Sequence, residues 1–367
     1  MADLEADIAI VGAGPAGASA AIRLARAGRR VVLIDRKHFP RQKVCGGCLS
    51  GPAVARLREL LDEGQPLPGV AATCITFVIG NYRLTCRSDG RTQVVHRAEL
   101  DAVLVEAATK AGADGWFGEP ATIELADPGR NRFSVRVGNR RLEAGTVLIA
   151  TGVAGLAGKL VGGRAAQPGM LAQQWVQPAG PGLPEPGAVE LHWLRGGYVG
   201  LASPQAGECV VALAARVVQD AGESACDRLR RLNPGARLWN LLLPDAPRRY
   251  GARGTAGFPW RPRRLGVGNL LLIGDAAGYQ EPYTGEGIGL ALISAECATT
   301  AILSDGDMLA RYLGLMRRFH LPVVRRARWL GRFLQLPVVS RLAEVLPLLP
   351  PGLLARLVHR VHVKGTL

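Results

Sequence analysis

The first 35 residues admit one local arrangement. Asp7-Ile8-Ala9-Ile10-Val11 is a short apolar run of strand type, and it passes directly into Gly12-Ala13-Gly14-Pro15-Ala16-Gly17. The following segment, to about Ala27, is rich in Ala, Ile and Leu, and Gly28 supplies a helix stop. Val31-Val32-Leu33-Ile34 then reads as a second buried strand, ending at Asp35, eighteen residues past Gly17. This order predicts a strand–turn–helix–strand unit that grips a dinucleotide. Gly12 permits the tight turn, Gly14 lets a pyrophosphate approach the backbone, and Gly17 allows close helix–strand packing. Pro15 and Ala16 sit at the helix N-terminus, where N–H groups favour phosphate. Asp35, with Arg36 beside it, stands where an acidic side chain accepts hydrogen bonds from the adenosine ribose.

A second motif follows about 260 residues later. Leu270-Leu271-Leu272-Ile273 makes a buried strand that Gly274-Asp275 closes. Ala276-Ala277-Gly278 and Pro282-Tyr283-Thr284-Gly285-Glu286-Gly287-Ile288 then feed a helix from about Gly287 to Thr300. A carboxylate at a strand end is placed to bond ligand hydroxyls, and it can also act as a helix N-cap. Backbone N–H groups at a helix start can meet an electron-rich ring or a phosphate. NAD and FAD share the first fingerprint. FAD alone also needs its ribityl chain and isoalloxazine held, so the pair of motifs points to FAD.

These residues resemble the FAD-dependent oxidoreductases of the geranylgeranyl reductase branch, within the wider class sharing the p-hydroxybenzoate hydroxylase-type fold. The match lies in Gly274 to Gly278, Pro282, Thr284 to Ile288, Ala291 and Ser294, and in Pro40-Arg41-Gln42-Lys43-Val44-Cys45-Gly46-Gly47. The resemblance implies that Asp275 binds a ribityl hydroxyl and that the Gly285, Gly287 and Ile288 backbone lies near the flavin pyrimidine edge. It further implies that Lys43, Cys45 and Gly46 lie by the flavin and that Arg97 opens a helix beside it. Cys45 is the candidate catalytic residue. Gly278 stands where many aromatic hydroxylases carry His, and Thr151-Gly152 where they carry Asp-Gly. Tyr198 is kept from the Tyr-x-Trp-x-Phe-Pro segment of archaeal-type prenyl reductases, without the Trp and Phe. The Trp-x-Trp-x-Ile-Pro segment of flavin halogenases is not found.

The implied fold is α/β, a Rossmann-like FAD-binding domain with an inserted α+β substrate domain built on an antiparallel sheet, and C-terminal helices. The FAD-binding domain is expected to be discontinuous, over residues 1–65, 95–165 and 255–305. The substrate domain takes 66–94 and 166–254, and a C-terminal helical segment takes 306–367. Residues 95–112 read as a helix with Arg97, Leu100, Val103, Leu104 and Ala107 inward. Residues 121–149 read as a meander around Asp127-Pro128-Gly129. Residues 72–79 and 82–87 read as strands paired around Gly80-Asn81. Residues 189–193, 198–202 and 209–215 read as further strands of one sheet.

Composition narrows the partners. A net charge of +15 favours anionic surfaces, and 48% hydrophobic residues suffice for a core. Basic amphipathic stretches around Arg311–Phe319 and Arg325–Leu330, then apolar stretches over 338–349 and 353–363, suit either helical packing across the two domains with a solvated Arg face, or peripheral membrane contact or a lipophilic entrance. Asp3, Glu5 and Asp7 precede an ordinary strand, so a cytoplasmic location is expected. Seven scattered cysteines fit a reducing compartment. Cys45-Gly46-Gly47-Cys48 lacks a second pair for zinc and a second nucleotide motif for disulfide-reductase chemistry, so Cys48 is read as structural and no metal is expected. His192, and the pair His359 and His362, read as packed or surface residues rather than ligands. No nucleic acid is expected. The function read is flavin N5 hydride transfer to a C=C bond of a small lipophilic substrate, prenyl- or polyketide-like. The alternative is a flavin monooxygenase hydroxylating an aromatic or polyketide ring through a C4a-hydroperoxide.

Overall fold

The computed structural model describes residues 4–127, 132–153, 156–216, 223–279 and 285–334. Pro128 and Gly129, the Pro282-Tyr283-Thr284 turn, His359, His362 and the apolar stretches 338–349 and 353–363 lie outside the described residues.

The strand Leu4–Val11 lies inside an eight-stranded sheet, parallel to Val31–Asp35 on one side and Arg140–Ile149 on the other. Asp114–Phe117 extends the sheet beyond Val31–Asp35, and Leu270–Leu272 extends it beyond Arg140–Ile149, both in parallel. Ile8, Ile10, Leu33, Ile34, Leu148, Leu271 and Leu272 are buried. Strands covered on both faces read as unbroken apolar runs, which is why these were visible in the sequence. The first half of Arg140–Ile149 also pairs with the antiparallel meander Ala121–Asp127 and Arg132–Val137. The helix Pro15–Arg26 packs against both Arg97–Lys110 and Gly287–Leu303.

A seven-stranded sheet runs in the order Arg253–Pro262, Gly163–Pro178, Glu208–Arg216, Gly197–Ala202, Ala188–Leu194, Cys74–Ile79, Tyr82–Arg87. One face packs Trp175, Val199, Leu201, Val211 and Leu213 against the helix Ala225–Leu232 and the turn Arg237–Asn240. On the other face Met170, Ala172, Tyr198 and Ala214 meet Val44, Val153 and Tyr279.

The expected antiparallel sheet needs one correction: Cys74–Ile79 lies parallel to Ala188–Leu194. These strands are joined by a long excursion through the nucleotide-binding half, not by a hairpin, so no tight turn reverses their direction. Residues 163–165 and 255–262, expected in the FAD-binding domain, are strand in this second sheet.

Candidate cofactor site and active face

Gly14 is the N-cap of the helix Pro15–Arg26 and no side chain caps that end, so its first N–H groups are open to a ligand. The glycines of the turn divide by what surrounds them. Gly12 has φ +107°, and a Cβ there would stand 2.3 Å from the Ala150 carbonyl oxygen. A Cβ on Gly17 would stand 1.8 Å from the Gly12 oxygen. A Cβ on Gly14 would meet only Arg41 Nη2, at 3.4 Å. Gly12 and Gly17 therefore serve close packing, while Gly14 borders open space beside a guanidinium.

Asp35 closes this end. Its Oδ2 accepts the Ala13 N–H at 2.9 Å and its Oδ1 accepts the Lys37 N–H at 3.0 Å. Arg36 is exposed. Arg41 reaches Asp35 at 3.5 Å and Asp101 at 3.2 Å, so one guanidinium links the two carboxylates. The fully buried Asp101 also takes the fork of Arg97, with bonds of 3.0–3.1 Å. Arg97 is the first residue of the helix Arg97–Lys110, one turn before Asp101. Burial works against the Arg97 charge, but Asp101 and Cys45 more than offset it and raise its pKa.

Arg97 also faces Asp275, and so does Lys43. Burial lowers the Lys43 pKa, with Asp275 opposing and Arg97 and Arg41 adding to the shift. Burial raises the Asp275 pKa, with Lys43 and Arg97 opposing. Two cations and a carboxylate from three distant segments thus converge. Lys43 Nζ lies 3.4 Å from where a Gly152 Cβ would sit, so Thr151-Gly152 leaves room for the ammonium.

The two glycine motifs touch. Gly274 has φ +62°, and a Cβ on it would lie 2.9 Å from the Ala16 Cβ. Its N–H donates to Ser294 Oγ at 2.7 Å, which fastens the strand end to the helix Gly287–Leu303. Asp275 lies in the short 3-10 turn Gly274–Ala277 and is not the N-cap of that helix; Glu286 holds the position. Gly285 lies beside Cys48, Gly287 is exposed with open space around its Cα, and Ile288 is buried. The buried Glu286 accepts the Ser50 hydroxyl at 3.3 Å. Burial pushes its carboxyl up to about 7, against the pull of Ser50 and Arg56.

The segment Lys43–Cys48 joins this site to the second sheet. The Cys45 N–H donates to Gln174 Oε1 at 2.9 Å, and the Cys45 sulfur accepts the Gly47 N–H at 3.4 Å. Beyond it, Trp193 stacks on Tyr198 with centroids 5.7 Å apart, next to Met170, Ala172, Val44, Val153 and Tyr279. His192 points to the opposite sheet face from Leu191 and Trp193 and pairs with Glu190 at 3.0 Å, which also binds Arg83. Cys48 is half-buried, and burial pushes its thiol up to about 12. Gly46 is exposed with nothing near its Cα. Arg41 and Glu286 lie in segments matched by sequence but carried no role there, and Asp101 and Gln174 were not singled out. Asp101 had a signal, its i,i+4 spacing from Arg97. Gln174 had none, because its partner lies 129 residues away.

Comparison with known proteins agrees with this geometry. The family described as FAD dependent oxidoreductase matches residues 7–164. A menaquinone reductase of Mycolicibacterium smegmatis is 29% identical over 90% of this chain and 85% of its own length. A digeranylgeranylglycerophospholipid reductase of Methanopyrus kandleri is 27% identical over 84% of each chain. The chloroplastic geranylgeranyl diphosphate reductase of Arabidopsis thaliana is 27% identical over 87% of this chain and 72% of its own. Among solved structures, the flavin-dependent brominase Bmp2 superposes with a TM-score of 0.75 at 16% identity, over 97% of this chain and 93% of that one. The halogenase PltM in complex with phloroglucinol and FAD gives 0.69 at 15%, over 85% and 73%. These two share the fold. With its paired glycine motifs and its match to the FAD dependent oxidoreductase model, the chain is an FAD-dependent oxidoreductase, and it is similar to reductases of the geranylgeranyl reductase branch.

Proposed function

We propose that the chain reduces a carbon–carbon double bond in a lipophilic, prenyl-bearing substrate. The observation that carries this reading is the contact of Gly274 with Ala16, beside the convergence of Lys43, Arg97 and Asp275. The residues present fit FAD: an open Gly14 edge, a carboxylate for hydroxyls and an open helix start at Gly287. Asp35 and Arg36 would take the ribose, and the Gly12–Gly17 turn with Arg41 the pyrophosphate. Asp275, set by Lys43 and Arg97, would take a ribityl hydroxyl, and the Gly285–Ile288 backbone the pyrimidine edge. FAD, once reduced, supplies hydride to an acceptor carbon.

The chain's own residues supply the rest. Val44, Val153, Met170, Ala172, Tyr198 and Tyr279 form an apolar wall that binds a hydrocarbon substrate and excludes water. Cys45 supplies the proton from Sγ to the second carbon of the double bond. The Cys45 sulfur faces the Gly47 N–H and the Arg97 guanidinium. The relatives named for menaquinone and geranylgeranyl compounds are reductases, in keeping with a polyprenyl substrate.

The test is anaerobic. Reduced enzyme mixed with a geranylgeranyl-chain alkene under argon is expected to reoxidise with formation of the saturated product. Cys45→Ala should keep its flavin and lose at least about tenfold in that step. No reoxidation under argon, with hydroxylation of an aromatic ring once oxygen is admitted, would overturn the reading in favour of a monooxygenase.

A further inference from the structure

From Met308 to Leu334 the chain is a single helical rod: Met308–Leu315, a π-helical turn Met316–His320, and Leu321–Leu334. Its inner side buries Tyr312, Met316, His320, Val323, Val324 and Ala327. Spacings of three and four residues bring these onto one side. The inner side is docked firmly, since the Tyr312 hydroxyl donates to the Leu272 carbonyl beneath it. The outer side shows Arg311, Arg317, Arg318, Arg325 and Arg326, all exposed, and then Trp329 at 60% exposure. No Asp or Glu occurs anywhere in residues 308–334. A helix needing only solubility would mix its charges. This one presents a single sign over four turns and ends it with a large exposed indole.

We propose that this outer face seats the protein on an anionic lipid surface, with the arginines among the headgroups and Trp329 in the interfacial layer. Charge complementarity selects the partner: the whole chain bears +15, and this face is uniformly cationic. Arginine stems and an indole suit a boundary that is wet on one side and apolar on the other. Among the described residues no helix is long and apolar enough to cross a membrane, so the rod lies along the surface. The inference goes beyond the proposed reaction and does not depend on it.

The test is co-sedimentation of the full-length, flavin-loaded protein with vesicles of phosphatidylcholine alone, or mixed with phosphatidylglycerol. Binding is expected only with phosphatidylglycerol and should fall as salt rises. Each basic residue near such a surface contributes about a fivefold factor, so R318E/R325E/R326E should lower partitioning by at least about tenfold. Trp329→Ala should weaken the binding that persists at high salt. These residues are exposed, so retention of yellow flavin serves as the folding control; if the triple variant loses it, Trp329→Ala decides. Equal binding to phosphatidylcholine alone, wild-type binding by the variants, or saturation by duplex RNA without vesicle binding would each overturn the proposal.

Discussion

Single residues in the site separate packing from binding. Gly17 has the Gly12 carbonyl where its Cβ would go, whereas Gly14 has only the end of a flexible arginine. Gly17→Ala should destabilise the fold by about 3 kcal/mol, the cost of overpacking a rigid turn, and this would appear as a lowered denaturation midpoint. Gly14→Ala should unfold near the wild-type midpoint yet retain less flavin after gel filtration. Glu286 gives a prediction in pH. Its folded carboxyl titrates near 7 against an ordinary 4.5. Its contribution is whole below about pH 4.5, where both states hold the proton. It fades as pH rises to 7, because the unfolded chain releases its proton first. Over that window stability should fall by about 3 kcal/mol, and Glu286→Gln should flatten the slope in urea titrations at each pH.

Among the elements, the ion chain Asp35–Arg41–Asp101–Arg97 binds a strand end, a loop and a helix start to one another. Asp101→Asn would leave two largely enclosed guanidinium groups short of a charge. It should cost about 3–5 kcal/mol by chemical denaturation and release flavin as Arg97 shifts. Elements with a simple period were legible beforehand. Val31–Asp35 and Leu270–Leu272 are buried runs, and Arg97–Lys110 shows its inner residues at helical spacing. What escaped depends on partners distant in the chain. Nothing local announces that Cys74–Ile79 will lie parallel to Ala188–Leu194, or that Arg41 will point at Asp101. The Gly-Asp strand end was readable as a carboxylate closing a buried strand, which the proposed function uses for a ribityl hydroxyl. Whether it also capped a helix was not, since the 3-10 turn that separates it from Gly287–Leu303 has no pattern of its own.

For the molecule as a whole, the seating of the second sheet matters most, because the apolar wall joins that sheet to segments that follow strands of the first. Gln174 reaches from the second sheet to the Cys45 backbone. Gln174→Leu, close in size but without an acceptor, should leave that N–H unpaired and cost about 1–3 kcal/mol. It should also slow substrate-dependent flavin reoxidation while flavin content is kept, which stopped-flow absorbance would show. The contact of Ala16 with Gly274 has a consequence for how the protein is made. The central strands Leu4–Val11, Arg140–Ile149 and Leu270–Leu272 are neighbours in space but spread over most of the chain. A growing polypeptide therefore holds only half a cradle until nearly all of it has left the ribosome. Prosthetic-group loading must be a late event in biogenesis, and truncation anywhere before about residue 290 should yield colourless protein.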